Sequence, residues 1–396
     1  MSPKKIDLCS LNEKSFILTI LLFVCSLMAS AQKKEPVDSK ATTETKALYN
    51  NLGELSNGHV LFGHQHATEY GHGWYGDTDR SDVKSVCGSH PAVIGIDFSG
   101  FSGRSPEEIQ KAKEEARKNV INTYNRGGVT TVSWHFINPV AKGGFYWVDS
   151  LSLPAVKYII PGGEAHEKYK EILKGIGEWA HSIKGSDNKL VPLIFRPFHE
   201  FDGGWFWWGK PHCTREEFIS LWRFTVSYLR DSLGVHNFIY AFSPDNKFNS
   251  EEEFLERYPG DEWVDLVGVD NYGDMGRDRY DTLTAIRKLK IVSDYAVKAG
   301  KLAAFTETGL ESIPNPIWWT NTLLKVLKSN NMKLSYVLVW RNDSRSPTHY
   351  YAPFPGQGSV TDFLKFYDDP YTLFEKDLKG IYKTREPSKP LPDLKK

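Results

Sequence analysis

Two glutamates stand out as groups able to move protons. Glu200 ends the run LVPLIFRPFHE (190–200), and Glu307 lies near the end of AAFTETG (303–309). A lone glutamate in such a place serves equally well as a structural ion-pair partner. Two of them on facing walls suit glycoside cleavage by double displacement. At a carboxyl separation of about 5–5.5 Å, one attacks as nucleophile while the other serves as acid and then base. That chemistry needs no metal. The acid needs a raised pKa, which an ionised neighbour and an apolar, aromatic wall both favour. The stretch RPFHEFDGGWFWWG (196–209) offers such a wall, because Arg196, His199 and Glu200 run directly into Trp205, Phe206, Trp207 and Trp208. Sugar rings have apolar faces and polar rims, so a saccharide cleft wants indole platforms beside Arg, His and Asp. Trp134, Trp205, Trp207, Trp208, Tyr272 and Trp340 all fall at or just beyond the ends of apolar runs. Adjacent Trp207 and Trp208 point opposite ways on an extended chain, so one is expected to face sugar and the other to pack inward. Trp179, Trp222, Trp318 and Trp319 lie in helical patterns and are expected in the core.

The elements that position these residues recur along the chain. Eight apolar runs each lead into a polar or glycine-rich turn: 59–65, 92–99, 128–135, 190–200, 237–245, 266–273, 303–309 and 334–343. Their first halves are continuously apolar, as in strands buried on both faces. Helix-start signals lie between them. Ser105-Pro106-Glu107-Glu108 combines an N-cap serine, an N1 proline and a capping-box glutamate, and the run it opens stops at Arg126-Gly127-Gly128. Thr214 to Glu217 and Ser250 to Glu253 repeat the S/T-x-x-E spacing, and further helical patterns cover 164–184 and 280–299. Strands alternating with helices predict a parallel sheet, and eight of them a closed (β/α)8 barrel in one α/β catalytic domain over 47–383. An open doubly wound sheet would want G-x-G-x-x-G after the first strand, and GHQHATEYG lacks it. In a barrel the chemistry sits at the C-terminal strand ends. Those ends read His64 and Gln65; Asp97; Trp134 and His135; Arg196, His199 and Glu200; Ser243 and Asp245; Asp270 and Tyr272; Glu307; Trp340 and Arg341. Strands four and seven, which carry the two glutamates, face each other.

Taken together, RPFHE with GGWFWW (196–208), VDNYG (269–273), FTETG (305–309), VSWH (132–135) and VWRND (339–343) resemble glycoside hydrolase family 26, the β-mannanase family. The resemblance implies that Glu200 is the acid/base and Glu307 the nucleophile. It further implies that His199 orients the glutamates and the sugar, Tyr272 bonds the nucleophile, and Trp205 lies beside the acid/base. Trp340 would form the floor under the sugar being cleaved. His135, Asp270 and Arg341 would contact sugars on the non-reducing side, and Arg196 would brace the carboxylates; His64 and Asp97 match more loosely. The expected substrate is β-1,4-mannan, with mixed-linkage β-glucan and β-1,3-xylan as alternatives within the family. Endo action and release of mannobiose from chain ends both stay open, since the long turns at 66–90, 100–105 and 136–161 could close one end of a cleft.

Two rival readings come from the same residues. His64-x-His66 with His72 suggests a metal-dependent barrel hydrolase, but strands five and six end without the histidines needed to complete a ligand set. A non-catalytic sugar binder would use the aromatic platform, yet gains nothing from burying a carboxylate pair.

Composition sets the remaining bounds. The 396 residues carry a formal net charge of zero, which speaks against an electrostatic nucleic-acid partner. Lys4, Lys5 and Lys14, the apolar run 16–28 and Ala29-Ser30-Ala31 read as a signal peptide over 1–31. Export to the periplasm or the medium is therefore expected; bulky Val24 fits poorly with lipid attachment at Cys25. Polar 32–46 and Pro/Lys-rich 384–396 are expected as flexible ends. A soluble monomer without a cofactor is expected, and Cys87 and Cys213 alone do not establish a disulfide.

Overall fold

A computed structural model describes residues 35–385; the expected leader and most of the expected C-terminal tail lie outside them. Eight parallel strands form the centre: β1 (Val60–Gln65), β2 (Val93–Asp97), β3 (Val129–Trp134), β4 (Leu193–Pro197), β5 (Phe238–Phe242), β6 (Leu266–Asp270), β7 (Leu302–Thr308) and β8 (Tyr336–Val339). Each pairs with its sequence neighbours, and β8 pairs back with β1 from Leu61↔Tyr336 to His64↔Val339, closing the (β/α)8 barrel. The eight apolar runs are these eight strands. Their residues alternate between two cores. Leu61, Val93, Val129, Ile194, Ile239, Leu266, Leu302 and Leu338 share one cluster inside the barrel. Phe62, Val132, Phe195, Tyr240, Val267, Phe305 and Val337 belong to the other, against the surrounding helices. This is the period-two alternation of a strand with both faces covered.

The main helices are α1 (Thr43–Leu55), α2 (Pro106–Arg126), α3 (His166–Ser182), α4 (Arg215–Ser227), α5 (Thr282–Ala299) and α6 (Val360–Asp368). Ser105 and Glu108 form a full capping box at α2, and Thr214 and Glu217 form one at α4. Gly127 ends α2 at φ 92°, a left-handed conformation that glycine adopts without a Cβ clash. Ser250 caps only one short turn, Glu251–Phe254. Between β7 and β8 the chain winds as a π-helix, Trp319–Leu324, where Trp318 and Trp319 are buried as expected, like Trp179 and Trp222.

Residues 35–46 depart from the expected flexible lead-in. The Val37 N–H donates to Asp265 at 2.6 Å, Asp38 is buried against His236 at 2.8 Å, and α1 already begins at Thr43. A polar sequence suggested solvent, but these polar groups have polar partners on the barrel. Leu48, Tyr49, Leu52 and Leu55 of α1 join the cluster inside the barrel, so α1 stoppers the N-terminal mouth. Two short pieces had no readable pattern. Tyr70–Gly71 pairs antiparallel with Trp74–Tyr75, and Thr372–Leu373 pairs with Val60 and Leu61 below the point where β2 joins β1. Cys87 and Cys213 are not bridged to each other. Among the described residues no helix is long and apolar enough to cross a membrane.

Candidate active site

The C-terminal mouth opposite α1 gathers the polar strand ends. β4 stops at Pro197, and the next residues leave the extended conformation abruptly. Phe198 and Glu200 have φ of 49° and 52°, the left-handed region that non-glycine residues seldom occupy. The two reversals send Phe198 into the core, fully buried, and leave Glu200 partly exposed at the mouth. The Glu200 N–H is held by the Ser243 carbonyl at 2.9 Å. Such strain persists where surrounding packing fixes it, and it gathers at functional sites.

Glu307 arrives by a different device. The register of β7 slips against β6, from Val269↔Phe305 to Asp270↔Glu307, and against β8 at the same place. This bulge lets both Thr306 and Glu307 reach groups at the mouth. The Thr306 hydroxyl donates to Asp270 at 2.6 Å, and the Tyr272 hydroxyl donates to Glu307 at 2.9 Å. Arg196 donates to Glu307 with one guanidinium nitrogen, and with the other to Asp270 at 2.8 Å and Ser243 at 3.0 Å. One oxygen each from Glu200, Asp270 and Glu307 lies within 4.8 Å of the others. Among the described residues this is the one group of three His, Cys, Asp or Glu donors so closely spaced. It contains no histidine, and the Arg196 guanidinium supplies positive charge within it. His64, the first residue of the rival metal motif, is buried and outside this group. His66 instead pairs with Glu69 at 2.6 Å.

Burial, then the negative charges of Asp270, Glu307 and Asp245, hold the Glu200 carboxyl well above the ordinary glutamate range. A hydrogen bond from the Trp205 indole N–H to Glu200 Oε2, 2.7 Å, pulls the other way. Burial would weaken the charge of Arg196, but Asp270 and Glu307 outweigh it and strengthen it. Burial, Arg196 and His135 all lower the His199 pKa, so its imidazole stays neutral. Burial beside Glu307 raises the Tyr272 phenol, keeping it a donor.

The tryptophan run turns out differently from expectation. Neither Trp207 nor Trp208 faces the mouth; both are fully buried. The Trp207 indole donates to the Phe136 carbonyl at 2.6 Å and that of Trp208 to the His199 carbonyl at 2.8 Å. The segment is a turn, not an extended strand, so alternation does not apply. These two indoles brace the backbone around Glu200; Trp205 alone of the three tryptophans reaches its carboxylate. Gly203 makes room for it, since a Cβ there would stand 2.3 Å from the Trp205 ring. Trp134 is likewise core, stacked on Phe136.

The other expected site residues line the mouth from β2, β3 and β8. His135 Nδ1 meets Asp97 at 2.5 Å. Burial would raise the Asp97 pKa, but the charge and hydrogen bond of His135 hold it at about 2. The His135 ring lies 4.6 Å from that of His199 and 5.9 Å from that of Trp340, which is partly exposed. Arg341 pairs with Asp343 at 2.8 Å, its guanidinium 6.0 Å over the Tyr70 ring. Asp270 is buried, bonded by Arg196 and Thr306, with a carboxylate oxygen within 4.8 Å of Glu200 and Glu307. Thr306, Tyr70 and Tyr146 also come to the mouth, and no pattern in the sequence singled them out.

The profile of Glycosyl hydrolase family 26 matches residues 37–321. A mannan endo-1,4-beta-mannosidase of Bifidobacterium adolescentis is 32% identical over 352 residues, which cover 84% of this chain. The chain spans only about a third of that protein, 34% of its length. The structure of a GH26 beta-mannanase from Bacteroides ovatus superposes with a TM-score of 0.80 and 42% identity, covering 87% of this chain and 98% of that one. That of GH26C from a Muricauda species gives 0.82 and 39%, covering 89% and 97%.

Proposed function

The chain belongs to glycosyl hydrolase family 26, and from that premise we propose that it is a β-mannanase that cleaves β-1,4-mannosidic bonds with retention of configuration. One observation carries the mechanism: carboxylate oxygens of Glu200 and Glu307 lie within 4.8 Å of each other. An inverting pair needs about 6.5–9.5 Å between its carboxyl groups to admit a water, whereas a retaining pair stands at about 5–5.5 Å. Glu200 is the acid, because its surroundings favour the protonated form. Glu307 is the nucleophile, oriented on one oxygen by Tyr272 and on the other by Arg196.

The step sequence follows from these roles. A Glu307 oxygen bonds to the anomeric carbon as the bond to the leaving oxygen breaks, and the proton of Glu200 passes to that oxygen. Glu200, now a carboxylate, takes a proton from water, and that water displaces Glu307 from the sugar. Neutral His199 and the His135–Asp97 pair bond the sugar on the glycone side, with Trp340 beneath it and Arg341 beyond. Linear mannan, glucomannan, galactomannan and manno-oligosaccharides are the substrates this reading names. The leader at 1–31 makes export part of the same proposal.

The test is a pair of substitutions. Glu307→Ala lowers kcat on mannan by at least about 10³-fold while circular dichroism is unchanged. Glu200→Ala still turns over a dinitrophenyl mannoside, whose leaving group needs no proton, and accumulates a covalent sugar adduct visible by mass spectrometry. A fully active Glu307→Ala enzyme overturns the assignment.

A further inference from the structure

The chain between β1 and β2 carries a buried acid that the mechanism above does not use. Asp82 opens the short helix Asp82–Cys87 and is 1% exposed. Its carboxylate takes three hydrogen bonds. The His72 N–H and the Asn342 side-chain N–H reach Oδ2 at 2.6 and 2.7 Å, and the Trp74 indole N–H reaches Oδ1 at 2.7 Å. Two of these donors belong to the hairpin at 70–75, and the third comes from the loop that follows β8. Asn342 is equally committed. It donates also to the Ala352 carbonyl at 3.0 Å, and it accepts the Tyr351 and Ala352 N–H groups at 2.8 and 2.9 Å. The same two segments meet again where the His72 ring lies flat on Phe354, centroids 3.7 Å apart and planes 3° apart. The join has no slack, since a Cβ on Gly71 would stand 2.4 Å from Asp82 Oδ2. One residue of the mouth is held from both sides of it. Arg341 bonds Asp343 of the β8 loop at 2.8 Å, and its guanidinium lies 6.0 Å over the Tyr70 ring of the hairpin.

We propose that Asp82 is a positioning residue for the cleavage reaction: by tying Asn342 to the hairpin it fixes Arg341 for the substrate. The proposal rests on the β-mannanase reading, in which Arg341 meets the sugar chain. Its logic lies in the choice of group. A carboxylate offers acceptors only, on two oxygens, which suits three converging donors; an asparagine in its place would turn an NH2 group toward one of them. Burying an acid is expensive, and apolar side chains of the same volume would hold two loops together at least as firmly. What apolar contact lacks is direction. Hydrogen bonds are directional, so the bond from Asp82 fixes Asn342 in angle as well as in distance, and Arg341 is the residue before it. A free arginine loses much rotamer freedom when a ligand orders it. Held beforehand between Asp343 and Tyr70, Arg341 loses less on meeting sugar, so the join lowers the cost of binding.

The experiment is a double-mutant cycle read as kcat/KM on mannohexaose. Asp82→Asn lowers that constant about ten-fold when Arg341 is present. In an Arg341→Ala background the same change costs less than about two-fold, because the side chain that Asp82 positions is gone. A purely structural role would give the same loss in both backgrounds. Circular dichroism and urea denaturation check that each variant is folded at the assay temperature. If Asp82→Asn does not fold, Asn342→Ala breaks the same join from the other side, leaves Asp82 its two hairpin donors, and takes its place in the cycle with the same expected pattern. Equal losses in the two backgrounds, or no loss where Arg341 is present, overturn the proposal. If the unsubstituted enzyme releases no reducing ends from mannohexaose, the β-mannanase reading fails first, and that result is distinct from any outcome of the cycle.

Discussion

Trp205 shows how one side chain sets a proton's affinity. Its indole N–H bonds the carboxylate form of Glu200 and so partly offsets the burial and negative charges that favour the acid. Removing that donor while keeping a ring has a definite sign. In Trp205→Phe the carboxylate loses a stabilising bond, the Glu200 pKa rises further, and the alkaline limb of kcat/KM moves to higher pH. At its optimum kcat/KM falls about ten-fold, the scale of one lost charge-assisted bond. A pH–rate profile checks both; an alkaline limb that moves down means that the indole does not bond Glu200 in solution. At this scale the sequence was most informative about charge. That Glu200, Glu307, Arg196 and Tyr272 gather at one mouth was legible, because such groups at the ends of apolar runs need a reason to be there. The fate of Trp207 and Trp208 was not legible. Facing was inferred from strand alternation, and the chain had already left the strand at Phe198. Nothing at Phe198 or Glu200, neither glycine nor asparagine, announces a left-handed backbone.

At the scale of elements, the turn 198–209 works as a unit fitted around its glycines. A Cβ at Gly203 would meet the Trp205 ring at 2.3 Å, and one at Gly209 would meet the Gly203 carbonyl at the same distance. Gly203→Ala therefore moves the indole off Glu200 without touching the barrel. The expected result is a fall in kcat/KM of about ten-fold or more, with the alkaline limb shifted upward as in Trp205→Phe and the circular dichroism preserved. Full activity in that variant would mean that the ring has room the structure does not give it. Helix ends were readable beforehand because capping is a local pattern: Ser105 with Glu108 and Thr214 with Glu217 form the boxes their spacing predicts. The β7 bulge was not readable. It depends on register with β6 and β8, a relation between distant segments that leaves no mark within FTETG. Thr372–Leu373 is too short for any periodicity to register.

The whole molecule divides labour between the two ends of its barrel. The C-terminal mouth holds strained backbone, buried carboxylates and, in His199, an imidazole whose Nδ1 has no partner among the described residues, all costly to fold. The N-terminal mouth is apolar and filled: α1 inserts Leu48 and Leu52, both fully buried, among the inward residues of the strands. Eight buried runs made the barrel legible, since continuous apolarity over so many segments has few other uses. The stopper was missed because its sequence, TETKALYNNLGEL, is only moderately apolar and follows a polar stretch that suggests solvent. This division predicts that stability and chemistry can be changed separately. Leu52→Ala removes a buried side chain at the closed end and leaves a cavity, at a cost of about 2–5 kcal/mol. Chemical denaturation should show that loss, because the cavity is walled by strands that cannot collapse without breaking the barrel. At temperatures well below unfolding, kcat on mannan should stay within about two-fold of the unsubstituted enzyme, since the strands fix the mouth independently of what fills the far end. A loss of kcat as large as in Trp205→Phe, measured on fully folded protein, would show instead that packing at the stopper is transmitted along the strands to Glu200 and Glu307.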